Sequence, residues 1–279
     1  MSTTQTPFEI TYEDEPTRVI RGSVERPDEA GDEPLPWVLL MHGFKGFMDW
    51  GFFPLLSCGL ATAGFQVVRF NQSGSGVGAD GKDFSDLEAF AKDTYGRQLE
   101  DMARVSELVS AGELGAVDAE RAGLFGHSRG GGMGIVHAAE VPYCALVTWA
   151  AIDDADRFDE ATKAQWREAG SITIKNARTK QDMRMDLGGL LDFEANVERY
   201  DILAAAARVE APVQLIHGDA DESVHVDAVN RLERAFPHAR KTILKGASHT
   251  LGATHPLSEM PEALAQALAI TTEHFLLHL

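Results

Sequence analysis

Short apolar runs of strand length recur along the chain: "FEITYED", "RVIRGSVER", "WVLLMHG", "FQVVRFN", "AGLFGHS", "CALVTWAAI", "VQLIHG" and "KTILKG". They are rich in β-branched and aromatic residues, and longer amphipathic segments separate the later ones. In "DTYGRQLEDMARVSELVSAG", Leu99, Met102, Val105, Leu108 and Val109 fall on one helical face, and Gly112 stands where a C-cap belongs. Strands alternating with helices demand a mostly parallel, doubly wound α/β sheet with both faces covered. The first two runs have no helix between them, so the sheet is expected to open with an antiparallel hairpin.

That frame gives "AGLFGHSRGGGMGIVHAAE" a place. Glycine is unfavourable inside a helix by about 1 kcal/mol against alanine, so several glycines at a helix start call for a reason. Gly126-His127-Ser128-Arg129-Gly130 is the G-x-S-x-G pattern of a nucleophile elbow. Small residues two before and two after the serine let strand and helix approach closely, which lifts the hydroxyl above the sheet edge.

A serine becomes a nucleophile when a base, itself oriented by an acid, takes its proton. In the order this motif follows, the acid and then the histidine come later, at the C-terminal ends of strands. "VQLIHGDADESVHV" and "KTILKGASHTLG" supply both loops, which assigns Asp221 as the acid and His249 as the base. Asp219 competes for the acid's place or shapes the turn, while Glu222 reads as a solvated neighbour. Asp153 and Asp154 read as a helix start, His217 and His127 as hydrogen-bonding structural residues, His255 as part of a loop, and His225 and His238 as surface residues. An oxyanion hole would take the amide of Phe44, in the turn of "LLMHGFKGFMDW", and the amide of Arg129.

The motifs "HGFKG", "GHSRGG", "HGDADESV" and "GASHT" stand in the order of the α/β-hydrolases, which the chain resembles over nearly its whole length. Within that superfamily it is similar to small bacterial carboxylesterases, the feruloyl and cinnamoyl esterases, and more distantly to dienelactone-hydrolase-like and acyl-peptidase proteins. True dienelactone hydrolases carry cysteine where this chain has Ser128. The resemblance implies a serine hydrolase that cleaves small to medium esters, aryl-acyl esters included, through an acyl-enzyme, with no cofactor and no metal. An acyl-peptide or amide hydrolase, a haloperoxidase-like enzyme and a non-catalytic binding protein of the same fold are the alternatives.

The span between Ile152 and Val213 is too long for an ordinary connection and reads as an inserted cap at residues 153–207, in a core formed by 1–152 and 208–279. Within it "SITIKNARTKQDMRMD" suggests a β-hairpin flanked by helices in "DADRFDEATKAQWREAG" and "LLDFEANVERYDILAAAARV". Trp149, Trp166 and Phe193, with Phe158 and Tyr200, are the candidates for an aromatic acyl pocket. The loop "NQSGSGVGADGKD" lacks the lysine-serine ending of a phosphate loop and is read as part of the active-site rim.

Acidic residues number 43 against 25 basic ones, a formal charge of −18. That surface repels nucleic acid and anionic membranes and suits either an ordinary acidic protein or a source with high internal salt. With no basic, apolar start and no membrane-length apolar segment, a cytoplasmic location is expected. Cys58 and Cys144 lie in apolar surroundings and read as buried, reduced thiols. The final amphipathic helix should pack on the sheet, and its apolar end is a candidate homodimer interface.

Overall fold

The structure is a computed structural model that describes residues 2–81 and 83–279. Its main sheet has strands β1 (Thr3–Thr11), β2 (Val19–Pro27), β3 (Leu35–Met41), β4 (Gln66–Asn71), β5 (Val117–His127), β6 (Ala145–Trp149), β9 (Val213–Gly218) and β10 (Ala239–Leu244). Two further strands, β7 (Ser171–Lys175) and β8 (Asp182–Asp186), form a separate sheet. The helices are α1 (Phe53–Thr62), α2 (Leu87–Ala91), α3 (Tyr95–Ser110), α4 (Arg129–Ala138), α5 (Glu160–Ala169), α6 (Gly188–Ala195), α7 (Ile202–Ala206), α8 (Asp227–Ala235) and α9 (Glu262–His278).

The main sheet runs β1-β2-β4-β3-β5-β6-β9-β10. β1, β2 and β4 pair antiparallel, and every later pairing is parallel. The expected opening hairpin is present. Strands β4, β6 and β9 are buried along their whole length, because helices cover both faces of the sheet. This burial explains why Val, Leu, Ile, Phe and Trp fill most of their positions and why the alternation of a one-sided strand is missing. One core packs Leu99, Met102 and Val105 of α3 with Met133 and Ile135 of α4, while the other packs Phe53 and Leu60 of α1 with Phe275 of α9.

Local chemistry sets the helix ends. Thr94 caps α3 by accepting from the Arg97 amide, and Gly112, one residue past the Ala111 C-cap, takes the left-handed φ of 77°. In the excursion between β6 and β9, β7 and β8 pair antiparallel as the expected hairpin. The helical flanks are shorter than their sequence patterns. Asp159 caps α5, so Asp153 to Phe158 precede the helix, and Asn196 ends α6 before Asp201 starts α7. α7 packs against α4 and α8.

The cysteines correct one expectation. Both are free, but Cys58 is exposed and Cys144 half-buried, its Sγ donating to the Glu120 carbonyl at 2.9 Å. On α1 the inward face is taken by Phe53, Leu56, Ser57, Leu60 and Ala61, which turns Cys58 outward. Among the described residues no helix is long and apolar enough to cross a membrane.

Candidate active site

β5 ends at His127 and α4 begins at Arg129, so Ser128 occupies the whole turn between strand and helix. Its φ of 56° and ψ of −123° put a non-glycine residue in a strained conformation, of the kind that costs about 1–3 kcal/mol and persists only where its surroundings hold it. The surroundings do so through hydrogen bonds: the Ser128 amide donates to the Trp149 carbonyl at 2.9 Å, and its carbonyl accepts from Gly131, Gly132 and Ile152. The flanking glycines are required by contact. A Cβ on Gly126 would meet the Gly130 carbonyl oxygen at 2.5 Å, and one on Gly130 would meet the His42 carbonyl oxygen at 2.4 Å.

The two loops after β9 and β10 bring Asp221 and His249 together, with His249 Nδ1 at 2.7 Å from Asp221 Oδ2. Oδ1 of the same carboxylate accepts from the amides of Ser223 at 2.8 Å and Val224 at 2.9 Å. His217 Nε2 stands 3.3 Å from Oδ2 and donates to the Val224 carbonyl. Burial alone would raise the Asp221 carboxyl, but His217, His249 and the Val224 amide together hold it well below the usual carboxylate range. An Asp221 ionised at neutral pH keeps the proton of His249 on Nδ1, which leaves Nε2 as the basic nitrogen. Asp219 serves the turn after β10 instead, where its Oδ1 accepts from the Gly246 amide.

The other weighed residues are structural. His127 Nε2 bonds the His249 carbonyl at 3.0 Å and its ring lies 4.8 Å from that of His249, while burial pushes its pKa down to about 3. A neutral His127 thus steadies the loop that carries His249. Asp153 pairs with Arg231, and His255 Nδ1 accepts from the Gly51 amide.

Ser128, Arg129, Phe44 and His249 line one cavity of about 440 Å³. Neither the Phe44 amide nor the Arg129 amide donates a hydrogen bond to another of the described residues. Gly43 lets the two segments approach, since a Cβ there would lie 2.9 Å from the Ser128 Cβ. Trp166 and Phe193, and Phe158 with them, line the same cavity.

Trp149 does not, which corrects the sequence reading. It is fully buried on β6, packs against Phe52 and Phe125, and donates from Nε1 to Thr271 Oγ1 at 3.0 Å. Tyr200 likewise packs on Tyr95 and donates to Asp192. The described part of the 71–83 loop also lies off this cavity, folded against Asp93 and Phe90 where Gly74 and Gly76 leave room; its Lys82 lies outside the described residues.

Sequence reasoning missed an ion pair at the heart of the site. The Arg129 side chain bonds Asp93, which also accepts from Gln98 at 2.9 Å, and the guanidinium stacks 4.2 Å from the Phe44 ring centroid. One side chain therefore links the turn after β3 to the start of α4 beside Ser128. Burial pushes the Asp93 carboxyl up, against the pull of Arg129. No local pattern marks Asp93, which precedes a helix cap far from Arg129 in the chain.

The prolyl oligopeptidase family model matches residues 53–275. Among solved structures, a putative hydrolase from Agrobacterium vitis S4 superposes with a TM-score of 0.75 at 20% identity over 99% of this chain and 100% of that one. Est1E from Butyrivibrio proteoclasticus does so with a TM-score of 0.69 at 15% identity over 98% of each chain. An acylaminoacyl peptidase from Pyrococcus horikoshii matches all of this chain but 42% of its own, with a TM-score of 0.68 at 19% identity. These structures share the α/β-hydrolase fold, with its mostly parallel sheet and flanking helices. The chain belongs to the prolyl oligopeptidase family and is a serine hydrolase of the α/β-hydrolase fold.

Proposed function

We propose that the chain is a carboxylesterase in which Ser128, His249 and Asp221 form the catalytic triad and the Phe44 and Arg129 amides form the oxyanion hole. The observation that carries this reading is the Asp221–His249 bond of 2.7 Å opening onto the same cavity as the strained Ser128. His249 Nε2 takes the Ser128 proton as Oγ attacks the ester carbonyl, and Asp221 stabilises the imidazolium. The two amides and the N-terminus of α4 face the oxygen where negative charge develops. His249 then returns the proton to the leaving alcohol, and water repeats the sequence to release the acid.

Residues 153–207 act as the cap over this site in our reading, with Trp166 and Phe193 as acyl-binding surfaces. Their aromatic faces suit a flat acyl group, the kind represented by the ferulic acid bound to Est1E. The protein works in the cytoplasm on small-molecule esters, needs no cofactor, and binds neither nucleic acid nor membrane. The apolar end of α9, where Leu276 and Leu277 are exposed, is its homodimer interface. Acyl-peptide hydrolysis is the second reading, favoured by the family match and by the likeness to the Pyrococcus peptidase. Steady-state turnover of 4-nitrophenyl butyrate and of the matched anilide tests both. The ester should be cleaved much faster, and Ser128→Ala should abolish cleavage; a faster anilide would favour the peptidase, and an active Ser128→Ala would overturn the triad.

A further inference from the structure

The cavity beside Ser128 carries an unusual charge for a chain of net −18. Five of its lining residues are cationic: Lys45, Arg129, Arg157, Lys163 and Arg178. Arg129 is neutralised by Asp93, and Lys163 by Asp156 and Glu160. Those pairs also occupy Asp93 and Asp156, the carboxylates in the wall. Lys45, Arg157 and Arg178 have no ion-pair partner among the described residues.

Two of these cations belong to one cluster at the turn between β7 and β8. Lys45 Nζ donates to the Lys175 carbonyl at 3.2 Å, and the Arg178 side chain returns to the Lys45 carbonyl. Burial lowers the pKa of the Lys45 ammonium, and the nearby Arg178 lowers it further, so the two charges are held together against their repulsion. An anion beside them would relieve that repulsion.

An independent feature points the same way. Asn176, in the same turn, is 1% exposed and lines the cavity, and its Nδ2 has no hydrogen-bond partner. Its Oδ1 accepts from the Arg178 amide at 3.1 Å, which fixes the side-chain amide so that Nδ2 is the free end. A buried donor left unpaired is costly, and in a functional cavity it marks the place of an acceptor. Trp166 Nε1, on another part of the lining, is a second buried donor without a partner.

We propose that this cluster of Lys45, Arg178 and Asn176 binds a carboxylate carried by the substrate, so that the enzyme prefers esters with a free carboxyl group to neutral esters. The proposal rests on the esterase reading above and names its substrate class. Cations and a donor meet here with no carboxylate among them, in the wall of the cavity that Ser128 also lines. The hydrolytic step is unchanged: water cleaves the acyl–oxygen bond, and the carboxylate takes no part in bond making.

The test measures kcat/KM for two matched pairs, one with the charge on the acyl side and one with it on the alcohol side. These are mono-4-nitrophenyl glutarate against 4-nitrophenyl valerate, and 4-butyryloxybenzoate against its methyl ester. In the wild type the anionic member of at least one pair should be favoured by about tenfold or more, the strength of a charge-assisted contact. That ratio should collapse towards one in Lys45→Met and Arg178→Met, chiefly through KM, and reverse in Arg178→Glu. Thermal melts confirm that each variant is folded, and because the ratio is read within each protein a general loss of activity does not imitate the effect. A wild type with no anionic preference in either pair, or a preference that survives in all three variants, overturns the proposal while leaving the esterase reading intact. Failure of the wild type to cleave any of the four esters overturns both.

Discussion

Asp93→Ala removes the carboxylate that neutralises Arg129 and leaves a guanidinium in a site where the two side chains are 2% and 14% exposed. Breaking a buried pair from one side costs about 3–5 kcal/mol, and the residual exposure of Arg129 places this case near 3 kcal/mol. At about 2 °C per kcal/mol, the lower end of the range for slightly smaller domains, the melting temperature should fall by about 6 °C. The direction of the Asp93 shift adds a second expectation. Burial pushes its carboxyl up in spite of Arg129, and taking two charges out of water costs enough that apolar side chains of similar size often replace a buried pair with no loss. Asp93→Leu combined with Arg129→Met should therefore recover most of the lost stability. Its activity should stay low, because the Arg129 stack on Phe44 that orders the two amides is gone. Differential scanning calorimetry of the wild type, the single variant and the double variant decides the matter. A single variant as stable as the wild type, or a double variant no more stable than the single, would refute the reasoning.

Asp221→Asn should lower kcat by about 10⁴ through loss of the correct His249 tautomer, whereas Asp219→Asn should stay within about tenfold of the wild type because Asp219 bonds the turn. Comparable losses at both positions would contradict the assignment of the acid. Gly43→Ala should leave far-ultraviolet circular dichroism intact yet depress kcat by about a hundredfold or more, since the new methyl would lie 2.9 Å from the Ser128 Cβ and displace one oxyanion donor. Because the folded Asp221 carboxyl lies below its ordinary value of 3.8, its stabilising contribution is complete above that value and is lost as pH falls towards the depressed one. Urea midpoints measured from pH 5 to pH 3 should thus fall more steeply for the wild type than for Asp221→Asn, and parallel slopes would contradict this.

The strands were legible because strands covered on both faces are predominantly apolar, as the Val, Leu, Ile and Phe positions of "VQLIHG" and "FQVVRFN" show, even though Gln66, Arg69 and His217 are buried among them. The same property hid the place of Trp149. On a strand buried on both faces, alternation says nothing about which side a tryptophan takes, and this one faces the core beneath the sheet. Ser128, Asp221 and His249 could be read in advance because each sits at the end of a recognisable strand, where chain order and turn position are local signals. Lys45, Asp93 and Asn176 could not: they meet only through the tertiary fold, and the acidic balance of the whole chain gave no hint of an unpaired basic wall. The outward turn of Cys58 was equally hidden, since "LLSCGLATAG" is apolar on nearly every side and only packing against the sheet selects the inward face.

The central claim is that Ser128 is the activated nucleophile of a competent triad. A fluorophosphonate probe followed by peptide mass mapping tests it most directly, because it reads the reactivity of one hydroxyl without requiring the right substrate. Stoichiometric labelling on the peptide containing Ser128, abolished in Ser128→Ala and strongly slowed in His249→Ala, is the predicted result. Labelling at another residue, or an intact folded protein that remains unlabelled, would contradict the account.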